Sequence, residues 1–145
     1  MPLAVSQIMS KPCITATLKD NVYELAVLMK DHGIGFVPIV EGERLVGVVT
    51  DRDLVVRGYA VKHSGSTAVI EVMTPNPVTL SPEDTAEEAG RLFAEKEIRR
   101  LPVVEDGRLI GVVAIGDLAV RDRFADEAGQ ALSAISEAAP SPFVH

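Results

Sequence analysis

Thr50 and Asp53 place a hydroxyl and a carboxylate three residues apart, where the apolar run Leu45 to Val49 gives way to polar residues. If a helix starts there, the two side chains lie about one turn apart on one side, beside the free N–H groups of its first turn. That set matches a vicinal diol. An ionised carboxylate accepts both hydroxyl protons of a ribose, while the Thr hydroxyl and backbone amides serve a nearby oxygen or phosphate. Plain capping accounts for the same pair, with Thr50 as N-cap and Asp53 favourable to the helix dipole. The place recurs as Gly111-Val112-Val113-Ala114-Ile115-Gly116-Asp117, where the carboxylate is kept and the hydroxyl lost. A pure cap would sooner keep the hydroxyl, so the recurrence weighs toward a ligand.

The recurrence extends over most of the chain. A shift of 64 positions carries Met9 onto Met73, Thr15 onto Thr79, Asp20 onto Asp84, Pro38 onto Pro102, Gly47 onto Gly111 and Asp53 onto Asp117 without a gap. This period exceeds that of the short solenoid units, roughly 20 to 50 residues. Two copies suit one compact unit, with similar halves facing each other about an approximate two-fold axis and paired clefts at the seam. The halves divide as 1–62 and 63–124, followed by 125–145.

Each half reads β-α-β-β-α, an α/β (α+β) pattern. A short β segment, Cys13 to Leu18 or Pro77 to Leu80, leads to a turn ending at Asp20 or Asp84, each suited to cap a helix. Asp84-Thr85-Ala86-Glu87 has capping-box character. Val22, Leu25, Ala26, Leu28 and Met29 then repeat at helical spacing, as do Ala86, Ala89, Leu92 and Phe93, and read as core faces. Phe36 to Val40 and Leu45 to Val49 form a hairpin around Glu41-Gly42-Glu43. Leu101 to Val104 and Leu109 to Val113 do the same around Glu105-Asp106-Gly107. A second helix opens at Thr50, running to about Arg57, and at Ala114, running to about Phe124. Ser6 to Met9 and Ala68 to Met73 read as short lead-in helices, and Ala60 to Thr67 as the linker. Asp126 to Ala138 reads as an amphipathic helix that needs a surface to lie on, and the tail after it as loose.

Composition narrows the function. A 47% hydrophobic fraction excludes a disordered chain. No run approaches the roughly 20 apolar residues of a membrane span, and Met1 to Val5 has no basic leader, so a cytoplasmic protein is expected. The net charge of −7 argues against duplex nucleic acid as a partner. Cys13 is the lone cysteine, expected to be a buried, inert thiol. No Walker loop, complete Gly-x-Gly-x-x-Gly, His-Glu-x-x-His or Cys-x-x-Cys occurs, so neither an enzyme nor a metal site is expected, and no cofactor is required.

With the element order, the strands Val37-Pro38-Ile39-Val40 and Leu101-Pro102-Val103-Val104, and the ending Gly47-Val48-Val49-Thr50-Asp51-Arg52-Asp53, residues 5 to 124 resemble a tandem pair of cystathionine-β-synthase-type (CBS) domains. The resemblance implies a stand-alone regulatory module that binds AMP, ADP, ATP or S-adenosylmethionine between its repeats and associates as a homodimer. It implies that Thr50 and Asp53 hold the ribose, and that Ile14, Thr15, Phe36, Val37 and Pro38 wall the adenine. Arg99 and Arg100 would face the phosphates, joined by Arg52. Salt-bridging of Arg99 and Arg100 with Glu95 or Glu97 is the competing role. In the second cleft Asp117, Val78, Thr79, Leu101 and Pro102 remain, but Ala114 lacks the hydroxyl and Ile115-Gly116 replace Asp51-Arg52. His32 or the Gly33-Ile34-Gly35 backbone would serve the phosphates there, and unequal sites are expected. A sensor read by an unidentified regulated protein is thus set against a purely structural interaction module whose clefts have closed.

Overall fold

The computed structural model describes residues 3–11 and 14–119. Cys13, the far end of the second helix toward Phe124, the amphipathic segment 126–138 and the tail lie outside the described residues. The chain forms two compact units. The Thr50 unit comprises Cys13–Val78 and Asp106–Leu109; the Asp117 unit comprises Met1–Pro12, Thr79–Glu105 and Ile110–His145.

In the Thr50 unit, α1 (Val22–His32) leads to β1 (Phe36–Glu41) and β2 (Arg44–Thr50), an antiparallel hairpin in which Phe36 lies opposite Thr50. The turn between them puts Gly42 at φ 62°, a backbone region open to glycine. The helix after β2 changes type along its length. It begins as α2 (Asp51–Asp53), widens to a π-helical stretch at Leu54–Gly58 and tightens to a 3-10 turn at Tyr59–Val61, beyond the expected end at Arg57. The lead-in Ala68 to Met73 contracts to a single 3-10 turn, Val69–Glu71. A strand not anticipated from sequence follows: β3 (Thr74–Pro75) pairs antiparallel with Gly47 and Val48 of β2.

The Asp117 unit holds α3 (Ala86–Lys96), the paired strands β4 (Arg100–Glu105) and β5 (Arg108–Ala114), and α4 (Ile115–Ala119). The first two residues of β5 fall in the Thr50 unit. The lead-in Ser6 to Met9 is a 3-10 turn at Val5–Gln7, and Ser10 bridges Val112, the counterpart of the β3 pairing.

Three expectations need correction. The opening β segments are single parallel bridges, Ala16 to Ile39 and Leu80 to Val103, rather than strands. Each is a two-bond clasp: Ala16 N–H donates to Pro38 O and Ala16 O accepts from Val40, while Leu80 bonds Pro102 and Val104 in the same way. The helix caps are Asn21 and Thr85, not Asp20 and Asp84. Both aspartates are occupied one step earlier, their carboxylates accepting the Thr17 and Ser81 N–H groups at 2.7 and 2.8 Å and closing the preceding turns. Asn21 and Glu24 form a full capping box, and Thr85 caps Glu88, so the motif near Asp84 is displaced by one residue. Finally, Ala26 is exposed, outside the buried face formed by Leu25 and Met29.

Each unit has its own apolar core. Leu25, Met29, Val37, Ile39, Val49, Val69 and Val72 fill one; Leu80, Ala89, Phe93, Leu101, Val103, Val113 and Leu118 fill the other. The linker is tied down as well as connecting: Thr67 O and Gly65 O accept the N–H groups of Val22 and Tyr23, satisfying the orphan donors of the first turn of α1.

Candidate functional site

The corner between β2 and α2 is built by reciprocal hydrogen bonds. Thr50, extended at φ −109° and ψ 164°, accepts the Asp53 N–H on Oγ1 at 3.1 Å. Asp53 returns the contact, its Oδ2 accepting the Thr50 N–H at 2.8 Å. Both bonds are part-buried. Capping is therefore the local reason for both residue types. It leaves functional groups over: among the described residues, Asp53 Oδ1 and the Thr50 hydroxyl proton have no protein partner. One ionised oxygen and one O–H thus remain side by side at the start of a helix, able to accept from one hydroxyl and donate to another oxygen.

The second corner repeats half of this. Asp117 Oδ2 accepts the Ala114 N–H at 2.7 Å, and the Ala114 methyl has no oxygen to return the bond. The persistence of the carboxylate thus has a structural cause, since in both repeats it satisfies the last N–H of the strand. The argument that its retention points to a ligand loses that support. The hydroxyl is what distinguishes the corners.

Phe36, half-buried, is the cross-strand partner of Thr50 and lies beside it. Val37 is fully buried in the core, and Pro38, also buried, gives its carbonyl to Ala16. Ile14 and Thr15, half-buried, immediately precede that bridge. Arg52 is exposed, its N–H bonded to Asp51 Oδ1 at 2.8 Å, and among the described residues its side chain makes no ion pair. In the Asp117 unit, Leu101 is a core residue and Pro102 O accepts from Leu80. Val78 and Thr79 are exposed. Arg99 and Arg100 are exposed at the start of β4, and among the described residues neither pairs with Glu95, Glu97 or another acid.

Two positioning features were missed from sequence. The Asp51 carboxylate packs on Gly35: a Cβ there would lie 2.6 Å from its Oδ2, and Gly35 O accepts the Asp51 N–H at 2.9 Å. In the same way, Gly47 leaves room for the Met73 side chain, and Gly111 for that of Met9. The signal for the latter was available, because both the Met and the Gly recur at the 64-residue offset.

Among the described residues no group of three or more His, Cys, Asp or Glu side chains could hold a metal ion, and no helix is long and apolar enough to cross a membrane.

Comparison with known proteins places these corners in context. The family model of the CBS domain matches twice, at residues 5–58 and 69–121. The Bacillus subtilis (strain 168) protein YlbB is 42% identical over 135 residues, covering 92% of this chain and 91% of its own length. A crystal structure of CBSX2 in complex with AMP is similar at TM-score 0.74 and 29% identity, over 86% of this chain and 98% of that one. The CBS domain pair of protein MJ0100, in complex with 5′-methylthioadenosine and S-adenosyl-L-methionine, is similar at TM-score 0.72 and 29% identity, over 83% and 95%.

Proposed function

We propose that this chain, which belongs to the CBS-domain family, is a non-enzymatic regulatory module that takes an adenosine-containing ligand at the Thr50–Asp53 corner. The observation that carries the reading is the unspent half of the capping box. Asp53 uses one carboxylate oxygen on Thr50 and keeps the other, next to a hydroxyl with a proton to give. A ribose diol fits that pair, with one hydroxyl donating to Asp53 Oδ1 and the other oxygen accepting from Thr50. The adenosine ligands of CBSX2 and MJ0100 support the ligand class.

In this reading Ile14, Thr15, Phe36 and the backbone at Val37 and Pro38 line the adenine, and Arg52 meets the phosphates. The corner lacking the hydroxyl, with Asp117, Val78, Thr79, Leu101 and Pro102, binds more weakly or stays empty. Regulation needs only different ligand affinity for two arrangements of the protein, read by a partner. Association as a homodimer is supported by the helix beyond Thr50. It exposes Val55, Val56 and Tyr59, the last 83% accessible, as a small apolar patch.

A thermal-shift series with AMP, ADP, ATP, S-adenosylmethionine, NAD and GTP tests the ligand class. A ligand that binds the folded form alone raises the melting temperature, by an amount that grows with its concentration over Kd. Adenosine compounds are expected to raise it and GTP to leave it unchanged. No response to any adenosine compound would leave the structural interaction module as the better account.

A further inference from the structure

Segment Val72–Pro75 is gripped by both limbs of the corner that carries Thr50 and Asp53. On the strand side, Thr74 and Pro75 pair with Val48 and Gly47, and the Met73 side chain lies against Gly47 in space that a Cβ would take. On the helix side, Arg57 Nη1 reaches three acceptors: Val72 O at 3.2 Å, Met73 O at 3.1 Å and Thr74 Oγ1 at 3.3 Å. One residue on, the buried backbone of Gly58 faces the Val72 side chain, which a Cβ would meet at 3.7 Å. Arg57 and Gly58 fall in the π-helical stretch, a widened turn of a kind that often accompanies functional sites. Strand, corner, helix and segment thus close a loop, all within the Thr50 unit. A change of angle between β2 and the helix must be taken up by residues 72–75. Beyond them, Val78 is the last residue before the chain passes into the other unit.

We infer that Arg57 is a positioning residue that couples the Thr50–Asp53 corner to segment Val72–Pro75, so that ordering of the corner is transmitted to the chain leading into the second repeat. The inference rests on the ligand reading above for its physiological trigger, while the coupling itself belongs to the fold and can be read without ligand. The guanidinium is the group suited to this, since it is always charged and sits on two carbonyls and a hydroxyl at once. Among the described residues its side chain forms no hydrogen bond or ion pair with Thr50 or Asp53, so its removal separates transmission from binding.

The test is hydrogen–deuterium exchange on the full chain, comparing the parent with Arg57→Gln and Arg57→Lys, with and without AMP. In the parent, AMP is expected to slow exchange at both residues 48–53 and residues 72–75. In Arg57→Gln the slowing at 48–53 persists, and that at 72–75 falls by about threefold or more, the weight of one net hydrogen bond. Arg57→Lys, with the charge but a shorter, unforked donor, lies between the two. An undiminished response at 72–75 in Arg57→Gln overturns the inference, as does a parent response confined to 48–53. If AMP alters neither region of the parent, the ligand reading fails for AMP, and the coupling is decided in the apo protein. There, Asp53→Ala, which strands the Thr50 N–H, should speed exchange at 72–75 in the parent background and not in the Arg57→Gln background. No effect of Asp53→Ala at 72–75 refutes it.

Discussion

The two strand-to-helix corners differ in their capping by one hydroxyl. At Thr50–Asp53 the side chains exchange hydrogen bonds with each other's backbone, whereas at Ala114–Asp117 only the carboxylate acts. The shared part is architectural, because an aspartate at this place satisfies the last N–H of the strand whether or not a ligand exists. The unshared part is where function can differ. The hydroxyl that caps the first helix is also the group the second corner lacks for a sugar. A residue kept in both copies can therefore say less about binding than one kept in a single copy.

The largest expected effects sharpen this comparison at the glycines that let the lead-in segments close on the strands. A Cβ at Gly47 would meet the buried Met73 side chain and also Thr74 O at 2.8 Å, a backbone atom that cannot swing away. At Gly111 its three nearest neighbours would all be side-chain atoms of half-buried Met9, with Sδ at 2.5 Å. Gly47→Ala should cost about 3 kcal/mol and Gly111→Ala about 1 kcal/mol in urea unfolding, because a flexible thioether can move where a carbonyl cannot. Equal costs would show that the two grips are equally tight.

Asp53→Ala and Asp117→Ala each strand one N–H, so both are expected to destabilise by about 1–3 kcal/mol and by similar amounts. A much smaller loss at Asp117 would break the claim of a shared architectural role. Thr50→Ala converts the first corner into the second and should cost about 1 kcal/mol, while Ala114→Thr should recover part of that at the other corner. Unchanged melting temperatures in both would contradict the capping geometry. The smallest effect lies at the ends of α1 and α3, which close with Gly33 at φ 63° and Glu97 at φ 56°. Glu97→Gly should gain about 0.5 kcal/mol by relieving a left-handed non-glycine residue. A loss of stability would mean that the Glu97 side chain contributes contacts outweighing that relief.

The repeat, the two hairpins and the corner residues were legible from sequence because they rest on periodicity and on short-range spacing. What escaped was decided by competition or by distance. Asp20 and Asp84 are good caps by type, but a turn three residues back claims their carboxylates first and passes the cap to Asn21 and Thr85. The opening strands dwindle to single bridges because each segment offers the neighbouring strand only one residue with both backbone groups in register. The β3 pairing and the Arg57 contacts join residues 15 or more apart in sequence, and no local pattern announces them. At the site itself, Thr50 and Asp53 were found by spacing. The burial of the Val37 and Leu101 side chains follows from packing on faces the sequence does not mark.

Calorimetric titration of AMP into the parent and into Asp53→Asn tests the central claim most directly. The amide keeps an oxygen for the Thr50 N–H, so the corner stays capped, but it presents an NH2 group where the ribose needs an acceptor. Affinity is expected to fall about 10- to 150-fold, the worth of a charged hydrogen-bond acceptor. Equal affinity in the two proteins would contradict the assignment of the sugar to this corner.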